Sequence, residues 1–130
     1  MDAIHLLEHY RNKCCVYNDD VQGTAGITLA GMINATKLKG TKLKDEKYLI
    51  LGAGSAGIGL ANLQCSALIC QGMSLKDAQS RVYMFDANGL LESSRTDLVD
   101  FQKPYARIRT RRAGTSSKPS RTSGRRRSSV

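Results

Sequence analysis

The chain has 130 residues, enough for one domain, and its 20 Lys and Arg side chains outnumber 11 Asp and Glu side chains to give a net charge of +9. Residues 1–106 carry 11 basic and 11 acidic side chains, so the whole excess lies in residues 107–130, which hold eight Arg and one Lys. This distribution excludes a basic folded module that reads nucleic acid with its surface. A membrane-spanning class is excluded because no run of 18 apolar residues exists.

Residues 1–17 predict a helix and strand lead-in, because apolar residues from Ile4 to Tyr10 follow an amphipathic pattern. This segment lacks the basic start of a secretory signal and the Arg- and Ser-rich composition of a transit peptide. The four cysteines form no CxxC pair, and Cys65 and Cys70 lie in an apolar stretch typical of buried small side chains. These features predict a reducing compartment, either cytoplasmic or the mitochondrial matrix.

Residues 18–24, Asn-Asp-Asp-Val-Gln-Gly-Thr, are polar and precede a stretch from Ala25 to Thr36 that is apolar almost all round. This pattern predicts a buried helix with the final threonine of the polar segment as its N-cap. Asp19 and Asp20 place two carboxylates side by side before that helix. They repel each other unless a cation compensates, and hard divalent cations take oxygen ligands. A solvated surface turn is the plainer interpretation of adjacent acids.

The middle of the chain predicts a β-α-β unit with a right-handed crossover. Residues 48–51, Tyr-Leu-Ile-Leu, form a continuous apolar run before glycine, as expected of a strand buried on both faces of a parallel sheet. An apolar helix to about Gln71 follows, and then a short helix over residues 72–80, in which Ser74 can serve as the N-cap with Asp77 three residues later. A second strand follows over residues 81–85.

Gly52, Gly54 and Gly57 form a GxGxxG motif directly after the first strand and at the start of the helix. The first glycine permits a tight turn, the second leaves room for a pyrophosphate, and the third lets helix and strand pack closely. The backbone N–H groups of the first helical turn, including Ser55 and Ala56, then face the phosphates, and the helix dipole adds to the attraction. A glycine turn that only packs the helix on the sheet is the alternative.

Asp86 ends the second strand, where a carboxylate can accept hydrogen bonds from an adenosine ribose. It lies 29 residues after Gly57, whereas the usual acid follows by about 20 residues. The short helix over residues 72–80 accounts for the extra length. A simple turn residue is the alternative interpretation of Asp86.

The ordered motifs together resemble the malic enzymes over about Tyr10 to Tyr105. The matching stretches are Tyr-Asn-Asp-Asp-Val-Gln-Gly-Thr-Ala, Leu-Ile-Leu-Gly-Ala-Gly-Ser-Ala-Gly-Ile-Gly and Val-Tyr-Met-Phe-Asp-Ala-Asn-Gly-Leu-Leu. The resemblance implies an α/β fold, a partial Rossmann-type β-α-β NAD(P)-binding domain over residues 18–106. It also implies the oxidative decarboxylation of malate to pyruvate and CO2 with NAD or NADP and Mg²⁺ or Mn²⁺.

The resemblance further implies a role for individual residues. Asp20 would be a metal ligand, and Asp19 would position a catalytic lysine. The motif glycines with Ser55 and Ala56 would line the pyrophosphate site, and Asp86 would face the adenosine ribose. In the family, the tyrosine acid, the lysine base and two further carboxylate ligands lie upstream, whereas only 18 residues precede Asp19 here.

From these departures we expect a truncated gene product or splice form that is inactive in isolation. Family members continue beyond the Tyr105 region with further βα units, whereas this chain turns into an Arg- and Ser-rich sequence. A β-α-β unit with one further helix leaves apolar faces uncovered, so we expect a marginally stable fold. Such a chain is expected to dock on full-length malic-enzyme subunits, as in a homo-oligomer. Malate as substrate and the absence of a membrane partner follow from the same resemblance.

Residues 107–130 predict a disordered Arg/Ser-rich tail, because Ile108 and Val130 are its only large aliphatic residues. An alternative function is therefore a non-catalytic binding protein whose tail contacts nucleic-acid phosphates or directs nuclear import. No aromatic residue interleaves the arginines, so the tail offers no stacking platform for single strands. A solvated tail without a selected role is the plainer interpretation.

Overall fold

The computed structural model describes residues 3–108, and the predicted tail from residue 109 onward lies outside them. In chain order, the elements are α1 (Ala3–Tyr10), a π-helical turn (Asp19–Gly23), α2 (Thr24–Lys39), a 3₁₀ turn (Leu43–Asp45), β1 (Tyr48–Leu51), α3 (Ser55–Cys70), α4 (Leu75–Arg81), β2 (Val82–Asp86), β3 (Gly89–Leu90) and a second 3₁₀ turn (Lys103–Tyr105). Within this part of the chain, no helix is both long and apolar enough to cross a membrane.

The sheet has the order β1-β2-β3 and confirms the predicted β-α-β unit. β1 pairs in parallel with β2, from Tyr48 opposite Val82 to Leu51 opposite Phe85. β3 was not predicted and pairs antiparallel with the end of β2. Gly89 adopts φ +106°, a left-handed conformation that favours glycine, and this allows the tight turn between β2 and β3.

The core lies between the sheet and α3. Ile58, Ala61, Cys65 and Leu68 recur at spacings of three and four residues along α3 and are all buried. They pack in one apolar cluster with the inward-facing residues of the two strands and with Leu91, the first residue after β3. The strand residues in this cluster are Tyr48 and Ile50 of β1 and Val82 and Met84 of β2. The same α3 face therefore fixes both strands that flank the glycine motif.

The short helix α4 begins as the sequence predicts. The Ser74 Oγ accepts a hydrogen bond from the Asp77 N–H at 3.1 Å and donates to Asp77 Oδ2 at 2.7 Å. Ser74 is the N-cap, and its side chain satisfies a backbone donor that the helix leaves free.

Two predictions of burial are wrong. On β1, Tyr48 and Ile50 are buried, whereas Leu49 is 63% and Leu51 is 78% exposed. The strand alternates because, among the described residues, helices cover only one face of the sheet. The helix predicted to be buried on all sides, α2, is likewise covered only in part, by α3 and by the turns before and after it, and Ile27 and Leu38 remain largely exposed.

Three smaller differences concern helix ends and the lead-in. α2 starts at Thr24 with Gly23 in the N-cap position, so the threonine is the first helical residue rather than the cap. Residues 11–17 contain turns and no strand. Cys65 is buried as predicted, but Cys70 is exposed because it is the last residue of α3.

Arg107, assigned to the tail from the sequence, is held by the folded part of the chain. Its N–H donates to the Leu91 carbonyl at 2.7 Å, and its guanidinium donates to the Ser80 and Val82 carbonyls at 2.7 and 2.6 Å. The guanidinium also lies 4.0 Å from the centre of the Tyr83 ring. Arg107 therefore belongs to the folded part of the chain, because carbonyls at the end of α4 and in β2 accept hydrogen bonds from this cation.

Candidate functional site: a glycine loop beside an acidic turn

The glycine loop, Gly52–Gly57, begins where β1 leaves the sheet. The Gly52 N–H donates to the Phe85 carbonyl at 2.8 Å and so extends the β1–β2 pairing by one bond. Gly52 then turns the chain with φ +112°, a conformation that side chains rarely adopt. The first glycine of the motif therefore has the role that the sequence predicts.

The third motif glycine is required by close packing. A Cβ built on Gly57 would lie 1.9 Å from the Gly52 carbonyl oxygen and 3.5 Å from Ile50 Cγ2. Any side chain at this position would push α3 away from the end of β1. The helix therefore starts directly against the strand because residue 57 has no side chain.

The middle glycine faces open space. A Cβ built on Gly54 would meet no atom within 4 Å, and its φ of −85° and ψ of −168° suit any residue. Nothing within the described chain therefore demands glycine here. What glycine preserves is the space above the loop, where the sequence predicts the pyrophosphate.

The start of α3 presents backbone donors to that space. Gly54 is the N-cap and supplies no side-chain hydrogen bond to the helix. The first helical hydrogen bond runs from the Ile58 N–H to the Gly54 carbonyl at 2.9 Å, so the N–H groups of Ser55, Ala56 and Gly57 precede the first intrahelical donor. Together with the helix dipole, these amides suit an anion.

Asp86 lies at the end of β2, next to the glycine loop, and its carboxylate is already paired. Arg95 donates to Asp86 Oδ1 at 2.9 Å and to Oδ2 at 2.6 Å, and the Asn88 N–H also donates to Oδ1 at 2.8 Å. The hydrogen bonds from Arg95 hold the pKa of Asp86 below its usual value. A second carboxylate, Asp97, binds the same guanidinium at 2.6 Å.

Arg95 was not singled out from the sequence, because its partner lies nine residues earlier, across the β2–β3 turn. The side chains of Arg95 and Asp86 are only 15% and 21% exposed. The guanidinium neutralises the acid at the position predicted to face the ribose. Contact between Asp86 and a ribose stays a prediction, and any such contact must share the carboxylate with Arg95.

The acidic turn, Asp19–Gly23, is folded by its own side chains. The Asn18 Oδ1 accepts the Val21 N–H at 2.9 Å, and the Gln22 Oε1 accepts the Asn18 N–H at 3.0 Å. Tyr17 donates its hydroxyl proton to Asp19 Oδ1 at 2.9 Å, and this bond raises the pKa of the Tyr17 hydroxyl. The tyrosine was not singled out from the sequence and holds one of the two predicted site carboxylates.

The acidic turn packs on the helix that follows the glycine loop. Val21 is buried, and a Cβ built on Gly59 would lie 2.3 Å from the Val21 carbonyl oxygen. The structure thus brings the acidic turn against the second turn of α3. Asp19 and Asp20 themselves are exposed.

The described residues do not by themselves fit a metal centre. Among residues 3–108, no group of three or more His, Cys, Asp or Glu side chains is placed to hold a metal ion. Asp20 offers one carboxylate, which fills at most about two of the roughly six oxygen positions around an octahedral Mg²⁺. The predicted role of Asp20 as a ligand therefore needs groups from outside this part of the chain.

Comparison with known proteins assigns this chain to a family. A family model described as malic enzyme, NAD binding domain, matches residues 21–122. The chain belongs to this family. The match continues past Arg107, where the sequence pattern had suggested that the family resemblance ends.

Individual relatives and a solved structure that resemble this chain are also malic enzymes. The chain is 44% identical over 102 residues to an NAD-dependent malic enzyme of Vibrio campbellii, covering 78% of this chain and 18% of the relative. It is 42% identical over 106 residues to NAD-dependent malic enzyme 3 of Bacillus subtilis, covering 82% and 19%. The crystal structure of Entamoeba histolytica malic enzyme matches with a TM-score of 0.59 at 32% identity, covering 78% and 20%. The chain thus spans about a fifth of the length of these malic enzymes.

Proposed function

We propose that this chain forms the coenzyme-binding part of an NAD-dependent malic enzyme. The observation that carries the proposal is the glycine loop, in which Gly52 turns the chain and Gly57 packs against it. Gly54 leaves the space beside the first turn of α3 open. A pyrophosphate in that space would receive backbone N–H groups and the positive end of the helix dipole.

The proposed reaction of the whole enzyme is the oxidative decarboxylation of malate to pyruvate and CO2. When bound, the nicotinamide coenzyme supplies the hydride acceptor for the oxidation of malate. This chain would contribute the residues that bind the adenosine and pyrophosphate parts of the coenzyme. We propose NAD rather than NADP because the two bacterial relatives are named as NAD-dependent.

The Mg²⁺ or Mn²⁺ dependence is proposed for the whole enzyme, with Asp20 as one ligand and Asp19 as a positioning residue. Because the described residues do not fit a complete metal centre, we expect no malate-dependent reduction of NAD⁺ by this chain alone. Malic-enzyme subunits are its proposed partners, in a cytoplasmic or mitochondrial-matrix compartment. Co-purification with a full-length subunit tests the partner.

Coenzyme binding is tested by titrating NAD⁺ and NADP⁺ against the chain, with and without Mn²⁺, by calorimetry and thermal unfolding. A ligand that binds only the folded state stabilises it by about 2.7 kcal/mol at a hundred times its Kd. We expect NAD⁺ and ADP to raise the unfolding temperature, and nicotinamide mononucleotide, which lacks the adenosine side, to raise it less. Failure of both NAD⁺ and ADP at millimolar concentration contradicts the proposal.

A further inference from the structure

The glycine loop is held from outside by a side chain 49 positions away. The Gln102 Nε2 donates to the Ala53 carbonyl at 2.9 Å, and the Gln102 Oε1 accepts the Val99 N–H at 3.2 Å. The second bond fixes which end of the amide is oxygen, because a backbone N–H can only donate. The nitrogen end therefore faces the loop, where a carbonyl accepts it.

This bond determines where the next N–H points. The peptide unit is planar and trans, so the Ala53 carbonyl and the Gly54 N–H project in opposite directions. With the carbonyl held inward by Gln102, the Gly54 N–H is directed away from Gln102. The preceding carbonyl is also constrained, because the Gly52 oxygen lies against Gly57.

Gln102 is itself held in place by backbone hydrogen bonds. It precedes the 3₁₀ turn Lys103–Tyr105, and its carbonyl accepts the Tyr105 N–H at 3.0 Å. The Tyr105 ring is buried, and its hydroxyl donates to Asn62 Oδ1 on α3 at 2.6 Å. Gln102 thus connects the glycine loop to the same helix whose first turn faces the proposed pyrophosphate.

We infer that Gln102 is a positioning residue of the coenzyme site, which sets the Ala53–Gly54 peptide so that its N–H serves the pyrophosphate. The inference rests on the proposed function, since it concerns the same ligand. Without this bond, the peptide is free to rotate and to turn its carbonyl towards the phosphates, which repel it. Loss of the bond is expected to weaken the binding of ligands that carry phosphates and not of adenosine, because in the proposed site this peptide contacts only the phosphates.

The test compares Gln102→Met, which removes both hydrogen bonds at similar length, with Gln102→Glu, which keeps the acceptor and loses the donor. Gln71→Met, at an exposed position after α3, is the matched control. NAD⁺, ADP and adenosine are titrated against the ¹⁵N-labelled chain by NMR. We expect both Gln102 variants to bind NAD⁺ and ADP about tenfold more weakly and adenosine within about twofold of the wild type, which a general loss of stability would not produce.

Each outcome decides the matter. If the wild type binds NAD⁺ and both variants match it, or if adenosine weakens as much as ADP, the positioning role is wrong while the proposed function stands. If the wild type binds neither NAD⁺ nor ADP, the proposed function fails and the role of Gln102 fails with it. Should the variants not fold, the wild-type spectrum decides: ADP, and not adenosine, must shift both the Gly54 amide and the Gln102 side-chain amide, and an unmoved Gln102 side chain contradicts the positioning role.

Discussion

The glycine loop and the acidic turn lie against the same helix, yet they differ in how complete they are. The glycine loop has its turn, its close helix packing and its backbone donors within six consecutive residues. The acidic turn is equally well folded, but its carboxylates face solvent, and the described chain gathers no further metal ligands around them. One region has the local features predicted for its ligand, and the other does not gather the ligands predicted for a metal within the described residues.

The difference follows from what each ligand needs. A pyrophosphate is bound largely by backbone N–H groups, which one strand–turn–helix unit presents together. A divalent cation needs several oxygen ligands converging on one point, and among the described residues the acidic turn has no further His, Cys, Asp or Glu side chain placed to complete such a group. Within residues 3–108 the chain therefore has the backbone features of the first kind of site and not the set of side-chain ligands of the second.

Of the changes proposed, Gly57→Ala should have the largest effect, a loss of stability caused by distortion of the glycine loop. The new Cβ would lie 1.9 Å from the Gly52 carbonyl oxygen, so the start of α3 must shift. We expect a loss of about 3 kcal/mol in the free energy of unfolding, measured by urea denaturation. Gly31→Ala in α2, where a Cβ meets no atom within 4 Å, is the control and should stabilise by up to about 1 kcal/mol. Equal effects of the two changes would contradict the packing role of Gly57.

Gly54→Ala should weaken coenzyme binding with little effect on folding. Its backbone angles suit alanine and its Cβ would point into open space, so the unfolding free energy should fall by no more than about 1 kcal/mol, the cost of alanine at an N-cap. The methyl group would occupy the space proposed for the pyrophosphate. We expect NAD⁺ affinity to fall at least about tenfold, or about 1.4 kcal/mol, by calorimetry. Unchanged affinity would place the coenzyme elsewhere.

Arg95→Met tests the ion pair at the edge of the loop through its pH dependence. Arg95 lowers the pKa of Asp86 in the folded chain below its ordinary value of 3.8. The pair therefore contributes stability that is fully present above that value and is lost as the pH falls through the lower, folded pKa. We expect the urea midpoint of the wild type to fall more steeply below about pH 4 than that of the variant.

The control for that experiment is Lys44→Met, which removes an exposed positive charge in the first 3₁₀ turn. It should leave the acid limb of the wild-type curve in place. If Arg95→Met and Lys44→Met give superimposable curves, the Asp86–Arg95 pair has no role in acid stability.

Asp20→Asn should have the smallest effect, because one exposed carboxylate holds a divalent cation weakly. We expect Mn²⁺ binding to this chain to be in the millimolar range, as measured by calorimetry, and to change by less than about twofold in the variant. Tight Mn²⁺ binding that Asp20→Asn abolishes would show that the acidic turn forms a metal site alone, and would remove the contrast between the two regions.

The sequence alone was enough for the β-α-β unit and its glycine motif. β1 spans the four residues predicted, and α3 and the Ser74 cap of α4 lie where the pattern placed them. These features rest on neighbouring residues: an apolar run, a helical period, and a serine three residues before the N–H that it caps. Local interactions of this kind are visible in the order of the residues.

Tertiary structure decided what lies between distant segments. It placed Arg95 on both oxygens of Asp86, Gln102 on the carbonyl of Ala53, and Arg107 at the end of α4. It also left the outer faces of β1 and α2 exposed, although their apolar composition predicted burial. Residue type indicates whether a side chain is suited to burial or to a polar partner. Only packing in three dimensions determines whether another segment covers that side chain or supplies that partner.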